Sequence, residues 1–330
     1  MTNFGVLAVL GLGLIYVASV KKVRLGKISE MDNKILNTIC HRSELKVMSG
    51  KRVKNDEMKY AVMIEINKGE KLCSGVLISR QHVLTSAHCF VNAFKCRARY
   101  KYLRASTLSS PHDLLVQVHV GGNCAVLQGN KNGCQGGKIM SRIKAVHIGV
   151  PRLYFASRCR SGDIAIVELA KPLPHDRRFA FACLPSNTTK LHKKAQLSGF
   201  GWTQSGKVKY AKKITLTKER FCDPSTKVGK DVFCMQESEG FACKGDSGSG
   251  VMQPANSREY TVMGLLSKAL DCNYKKLAMK RHGKRVSKKF RGVVITDTRK
   301  YLDWICLHSG VCERHIERKR MKKRRIVMIY

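Results

Sequence analysis

Apolar positions along this chain fall in short, β-branched runs divided by glycine or polar turns, as in Cys73–Phe90 (CSGVLISRQHVLTSAHCF) and Gly162–Leu173 (GDIAIVELAKPL). Runs of that kind predict strands, not amphipathic helices, and an all-β fold. Cys73–Phe90 holds two of them and predicts a hairpin ending on His88 beside Cys89. Gly162–Leu173 predicts a strand with Asp163 at its head, a place where a carboxylate is solvated unless something uses it. Two segments depart from the pattern. Tyr301–Ile305 (YLDWI) reads as a short helix, and Phe4–Val20 is a mostly apolar run of 17 residues followed by Lys21 and Lys22.

Seventeen residues fall short of the roughly 20 that span a bilayer and suit the core of a signal peptide. Small residues at Val17-Ala18-Ser19 predict cleavage after Ser19 and secretion; the alternative is an uncleaved anchor formed by residues 4–20. Fourteen cysteines without a CxxC pair or zinc spacing agree with an oxidising compartment and disulfides. In a secreted chain Asn187-Thr188-Thr189 is a glycosylation sequon.

With 330 residues, 43% of them apolar, the chain can build one large all-β domain or two small ones. Its charge is unusual: 62 Lys and Arg against 23 Asp and Glu leave +39. The excess gathers in Lys95–Arg104, in Lys275–Arg291 and in Arg318–Arg325 (RKRMKKRR). Such runs are either solvated faces or a site for a polyanion such as a sulfated glycan or an acidic surface. No aromatic residues interleave them to stack bases, which argues against sequence-specific nucleic-acid binding. His41, His112, His147 and His282 form no ligand pattern, so neither metal nor cofactor is expected.

Cys243–Met252 reads CKGDSGSGVM. Gly-Asp-Ser-Gly alone describes many surface turns. A serine hydroxyl becomes a nucleophile when an imidazole takes its proton and a carboxylate orients that imidazole. His88, Asp163 and Ser247 supply these three groups in the order His, Asp, Ser.

At these residues the chain resembles the chymotrypsin-like serine proteases, which share that order. LTSAHC resembles the family's histidine motif, DIAIVEL its aspartate strand and CKGDSGSG its serine loop, and the likeness extends from about Val47 to Tyr301–Ile305. TSAHC, the long insert after it and DIAIVEL are most similar to divergent nematode members. The resemblance implies two six-stranded antiparallel β-barrels with a short C-terminal helix. It also implies a monomeric endopeptidase acting on proteins or peptides. His88, Asp163 and Ser247 would be catalytic, and the amides of Gly245 and Ser247 would form an oxyanion hole.

Further expectations come from the same likeness. Cys73 would pair with Cys89, Cys222 with Cys234 and Cys243 with Cys272, while Cys40 would tether a propeptide to Cys183. Lys46-Val47-Met48-Ser49-Gly50 resembles an activation site, implying a zymogen cut after Lys46 whose new Val47 amine pairs with Asp246. The expected division is a signal peptide at 1–19, a propeptide at 20–46, the protease domain at 47–310 and a basic tail at 311–330. For the other six cysteines, proximity favours Cys124–Cys134 and Cys306–Cys312, leaving Cys96 for Cys159.

Departures from the family lie around the serine. Phe241 stands at the base of the specificity pocket where trypsin-like members have Asp, so cleavage after Lys or Arg is not expected. Ser267, Lys268 and Ala269 align with the pocket wall, Ser267 as the residue that binds substrate backbone. Ser249 replaces a glycine, with a cost if that position needs a positive φ. The rival reading is a catalytically impaired homologue that binds polyanions.

Overall fold

A computed structural model describes residues 24–41, 58–91, 114–127, 134, 137–201, 208–219, 222, 228–255, 259–269, 292–314 and 325–329. Six strands, β1 (Ala61–Ile66), β2 (Lys71–Leu77), β3 (His82–Thr85), β4 (Val116–Val120), β6 (Ser141–Pro151) and β7 (Ala165–Leu169), make a first antiparallel sheet in the order β6-β4-β1-β2-β3-β7. Pairing of β6 with β7 closes it. A second closed barrel follows as β10-β11-β14-β13-β12-β8, formed by β8 (Lys194–Gly199), β10 (Lys212–Lys218), β11 (Val232–Glu239), β12 (Gly250–Pro254), β13 (Tyr260–Lys268) and β14 (Val293–Asp297). A two-stranded ribbon, β5 (Cys124–Val126) with β9 (Val208–Tyr210), lies outside both barrels.

The predominance of apolar residues at successive positions of β1 and β7 has a structural cause. Side chains alternate across a strand, and in the first barrel both faces are covered. Val62, Ile64 and Ile66 of β1 join the barrel interior with Val83, Val118, Ala165 and Val167. Their neighbours Ala61 and Met63 face a second core with Leu84, Ile166, Phe200, Leu265 and Trp304. β1 is therefore buried at every position. Leu197, Ile214, Met235, Val251, Leu266 and Ile295 fill the second barrel. The C-terminal helix, Leu302–Ser309, ends at Gly310, whose φ of +78° gives the left-handed cap that glycine adopts most easily.

Both flanks of the catalytic-domain likeness are built into this body. Residues 24–41, expected as a tethered segment, form a helix, α1 (Glu30–Cys40), capped by Ser29. The chain before it is held at Gly26: Glu168 Oε2 accepts from its N–H at 2.9 Å, and His82 Nε2 lies 2.9 Å from its carbonyl oxygen. Ile28 N–H donates to Ser309 O, and Asn33 and Asn37 exchange hydrogen bonds with the Cys312 backbone. At the other end, most of the expected basic tail lies outside the described residues, and two pieces of 311–330 are seen. Val311, Cys312 and Glu313 are buried, and Ile326–Ile329 forms a strand, β15, paired antiparallel with Ile148–Pro151 of β6. Its apolar IVMI run finds an open strand edge 175 positions earlier in the chain, which local pattern does not reveal.

Disulfides join Cys40–Cys183, Cys73–Cys89, Cys124–Cys134, Cys222–Cys234 and Cys306–Cys312. Cys159 is disulfide-bonded as well. Cys96 and Cys272, and so the Cys243–Cys272 expectation, lie outside the described residues, as do the signal segment, Lys46 and Val47.

Candidate active site

Three segments meet between the barrels. β3 runs into a 3-10 turn, Ala87–Cys89, which the Cys73–Cys89 disulfide ties to β2 and which carries His88. Just ahead of that turn, the Thr85 hydroxyl donates to Ser74 O and the Ser86 hydroxyl to Leu266 O, so both barrels hold it. Asp163 precedes β7, after Gly162 at φ +81°. Its backbone carbonyl accepts from the Thr296 hydroxyl at 3.0 Å.

The Asp163 carboxylate takes three hydrogen bonds. The His88 backbone N–H donates to Oδ1 at 2.9 Å, His88 Nδ1 lies 2.8 Å from Oδ2, and the Ser267 hydroxyl donates to Oδ2 at 2.5 Å. Burial works to raise the Asp163 pKa; the nearby His88 charge and the hydrogen bonds from His88 and Ser267 outweigh it and hold the carboxyl below its ordinary value. An ionised carboxylate only accepts, so Nδ1 carries the proton and Nε2 of a neutral His88 is left with its lone pair. Ser267, aligned by likeness as a substrate-binding residue, thus spends its hydroxyl on Asp163.

Ser247 sits half-buried in the turn before β12. Its carbonyl accepts from Ser74 N–H at 2.8 Å, and the Gly245 carbonyl accepts from the Ser74 hydroxyl at 2.9 Å. Gly245 and Gly248 have φ of +99° and +82°. A Cβ at Gly248 would stand 2.1 Å from Thr85 Oγ1 and 2.4 Å from Ser74 O, so strain and space both demand glycine there. Ser249 does not have a positive φ, and the expected backbone cost is absent; its hydroxyl is buried without a hydrogen-bond partner among the described residues.

Asp246 is fully buried. Its Oδ1 accepts from Gly201 N–H at 2.6 Å and its Oδ2 from Cys243 N–H at 2.8 Å. With the carbonyls of Gly245 and Ser247 turned toward Ser74, the amides of Gly245 and Ser247 donate to no group among the described residues. Ser247 Oγ and His88 are not hydrogen-bonded to each other.

Of the remaining expected residues, Phe241 is half-buried beside fully buried Ala242, Lys268 is half-buried at the end of β13, and Ala269 and Asn187 are exposed. Lys71 joins the site from outside the three sequence motifs. Its ammonium donates to His88 O at 2.6 Å; burial lowers its pKa, and the Asp163 charge opposes that shift. Its only sequence signal is its place two residues before Cys73.

A family model described as Trypsin matches residues 47–305. The chain belongs to the trypsin family of chymotrypsin-like serine proteases. Within that family it is similar to the trypsin-like protease try-5 of Caenorhabditis elegans, 29% identical over 64% of this chain and 72% of that protein. It is 25% identical to the human putative trypsin-6 over 79% of this chain and 88% of that one. Transmembrane protease serine 11G of Mus musculus is 26% identical, over 62% of this chain and 45% of its own length. Among the described residues no helix is long and apolar enough to cross a membrane.

Proposed function

We propose that this trypsin-family chain is an active, secreted serine endopeptidase. Ser247 is the nucleophile, His88 the general base and Asp163 the group that orients and stabilises the imidazolium. His88 Nε2 takes the Ser247 proton as Oγ attacks the scissile carbonyl; the proton passes to the leaving amine as the C–N bond breaks. Water then attacks the acyl-enzyme, giving its proton to His88, and the acid leaves as Oγ regains a proton. The Gly245 and Ser247 amides stabilise the oxyanion, and losing one such donor costs about 3 to 4 kcal/mol. The observation that carries this reading is the hydrogen-bond set on Asp163, which leaves Nε2 as the available acceptor, beside two serine-loop amides that donate to no group among the described residues.

Residues 1–19 act as the signal peptide, 20–46 as the propeptide and 47–310 as the protease domain. Cleavage after Lys46 frees the Val47 amine to pair with Asp246; a buried ion pair of this kind acts as a switch, because one unpaired partner is costly. Phe241 at the pocket base supports a specificity other than Lys or Arg, and exposed Asn187 carries the glycan. The protein works as a monomer. The second reading, an impaired homologue that binds polyanions, is favoured by the +39 charge.

Labelling by a fluorophosphonate probe separates the two. Protein cut at Lys46 is expected to label, whereas the uncut form, Lys46→Gln after the same trypsin treatment and Ser247→Ala do not. Absence of labelling in folded protein with Val47 as its new N-terminus would refute catalysis and leave the polyanion-binding reading.

A further inference from the structure

Ser74 is fully buried on β2, opposite Met63 of β1, and four hydrogen bonds converge on it. Its N–H donates to Ser247 O at 2.8 Å and its hydroxyl to Gly245 O at 2.9 Å. The same hydroxyl accepts from Phe200 N–H at 2.9 Å, and the Ser74 carbonyl accepts from the Thr85 hydroxyl at 2.7 Å. One residue of the first barrel therefore holds the serine loop at two points, the residue after β8 at a third and the approach to the His88 turn at a fourth. The next amide along, Gly201 N–H, goes to Asp246 Oδ1 at 2.6 Å. Asp246 thus ties the serine loop to Gly201, and Ser74 ties it to the first barrel.

The two carbonyls that Ser74 holds belong to the two residues whose amides donate to no group among the described residues. At Gly245 the hold matters most. A glycine turns its flanking peptide planes at little cost, and Gly245 stands at a φ of +99°, so its amide stays aimed only while its surroundings hold the backbone. The β2 backbone reaches Ser247 O; the reach to Gly245 O is made by the Ser74 side chain. We infer that Ser74 is a positioning residue for the oxyanion hole: its hydroxyl fixes the peptide plane after Gly245, and with it the spacing of the Gly245 and Ser247 amides. Being fully buried, Ser74 meets no substrate itself. This rests on the reading of those two amides as the oxyanion hole. Without the hydroxyl, Gly245 O and Phe200 N–H lose this partner in a buried place, where a polar group left alone is costly, and the loop relaxes away from the working geometry.

The test compares wild type, Ser74→Ala and Ser79→Ala, each cut at Lys46. Ser79 is an equally buried hydroxyl of the first barrel, 2.9 Å from His82 Nδ1, and serves as the control for general loosening. Ser74→Ala is expected to label with the fluorophosphonate probe about tenfold or more slowly than wild type, and Ser79→Ala to label at the wild-type rate. With p-nitrophenyl acetate as substrate, kcat of Ser74→Ala should fall by a similar factor at unchanged KM, because charge on the oxyanion appears only in the transition state. Labelling of folded Ser74→Ala within threefold of wild type, or an equal loss in Ser79→Ala, overturns the inference. Should Ser74→Ala fail to fold, Ser74→Gly takes its place in the same assays. Hydrogen exchange across residues 243–249 reports on the loop without any chemistry at Ser247. There the amides of Asp246, Gly248 and Ser249 are bonded to Cys243 O, Leu266 O and Asp246 O, and Ser74→Ala should speed their exchange while Ser79→Ala does not. If wild type itself fails to label, the endopeptidase reading falls and exchange decides the role of Ser74: faster exchange confined to the loop supports it, and unchanged exchange refutes it.

Discussion

Replacing Asp246 by Asn removes a charge while keeping the shape of the side chain; two hydrogen bonds set a lower bound on its effect, since the proposed pairing with the Val47 amine is lost as well. Both carboxylate oxygens accept from backbone amides, Gly201 N–H at 2.6 Å and Cys243 N–H at 2.8 Å. An asparagine has one acceptor oxygen; its NH₂ group must then face the other amide, donor against donor. The lost charge-assisted bond is worth about 1.5 to 3 kcal/mol, and a buried donor left without a partner costs about 1 to 3 kcal/mol. Part of that sum relaxes through movement of the serine loop, which carries the Gly245 and Ser247 amides out of register. Fluorophosphonate labelling of Asp246→Asn cut at Lys46 should be slower by about 100-fold or more, since each 1.4 kcal/mol is tenfold in rate. The fold should persist, because both barrels and the disulfides that join Cys40–Cys183, Cys73–Cys89 and Cys222–Cys234 do not depend on Asp246. Labelling within threefold of wild type, with an unchanged melting temperature, would refute the claim that Asp246 arranges the serine loop.

Two other outcomes follow from the same geometry. The Asp163 pKa is depressed in the folded state, so its stabilising contribution is present above the ordinary carboxylate value near about 3.9 and is lost as pH falls through the lower folded value. Asp163→Asn should flatten that part of a melting-temperature profile taken between about pH 6 and 2; an unchanged acid limb would place the dependence on another group. Gly248→Ala should destabilise the protein and abolish labelling, because its Cβ meets Thr85 Oγ1, Ser74 O and Ser86 N at a φ of +82°. A well-folded, labelling variant would show that the turn can move aside.

Much of this architecture was legible in the sequence. Short β-branched runs gave strands, and the nearly continuous apolar character of AVMIEI and AIVEL, each interrupted by one buried glutamate, reflects burial on both faces, inside the first barrel and toward the second core. The order of His88, Asp163 and Ser247 could be read because each stands in a distinctive local wording. Helix α1 has only a faint start signal, Ser29 followed by Asp32: the Ser29 hydroxyl accepts from Asp32 N–H and donates to its carboxylate. The engagement of Ser267 with Asp163, the contact of Lys71 with His88 and the pairing of β15 with β6 are long-range, and no local periodicity encodes them.

The pairing of β15 bears on how this protein should be handled as a physical object. A fragment trimmed at residue 305, where the family likeness stops, would leave the side of Ile148–Pro151 that faces away from β7 without its partner strand. It would also strip the packing of Ile326 on Gly149 and Leu25. A bare, apolar strand edge is a template for another chain. Such a fragment is expected to self-associate through β6, so the unit that folds cleanly is larger than the unit that inheritance marks out.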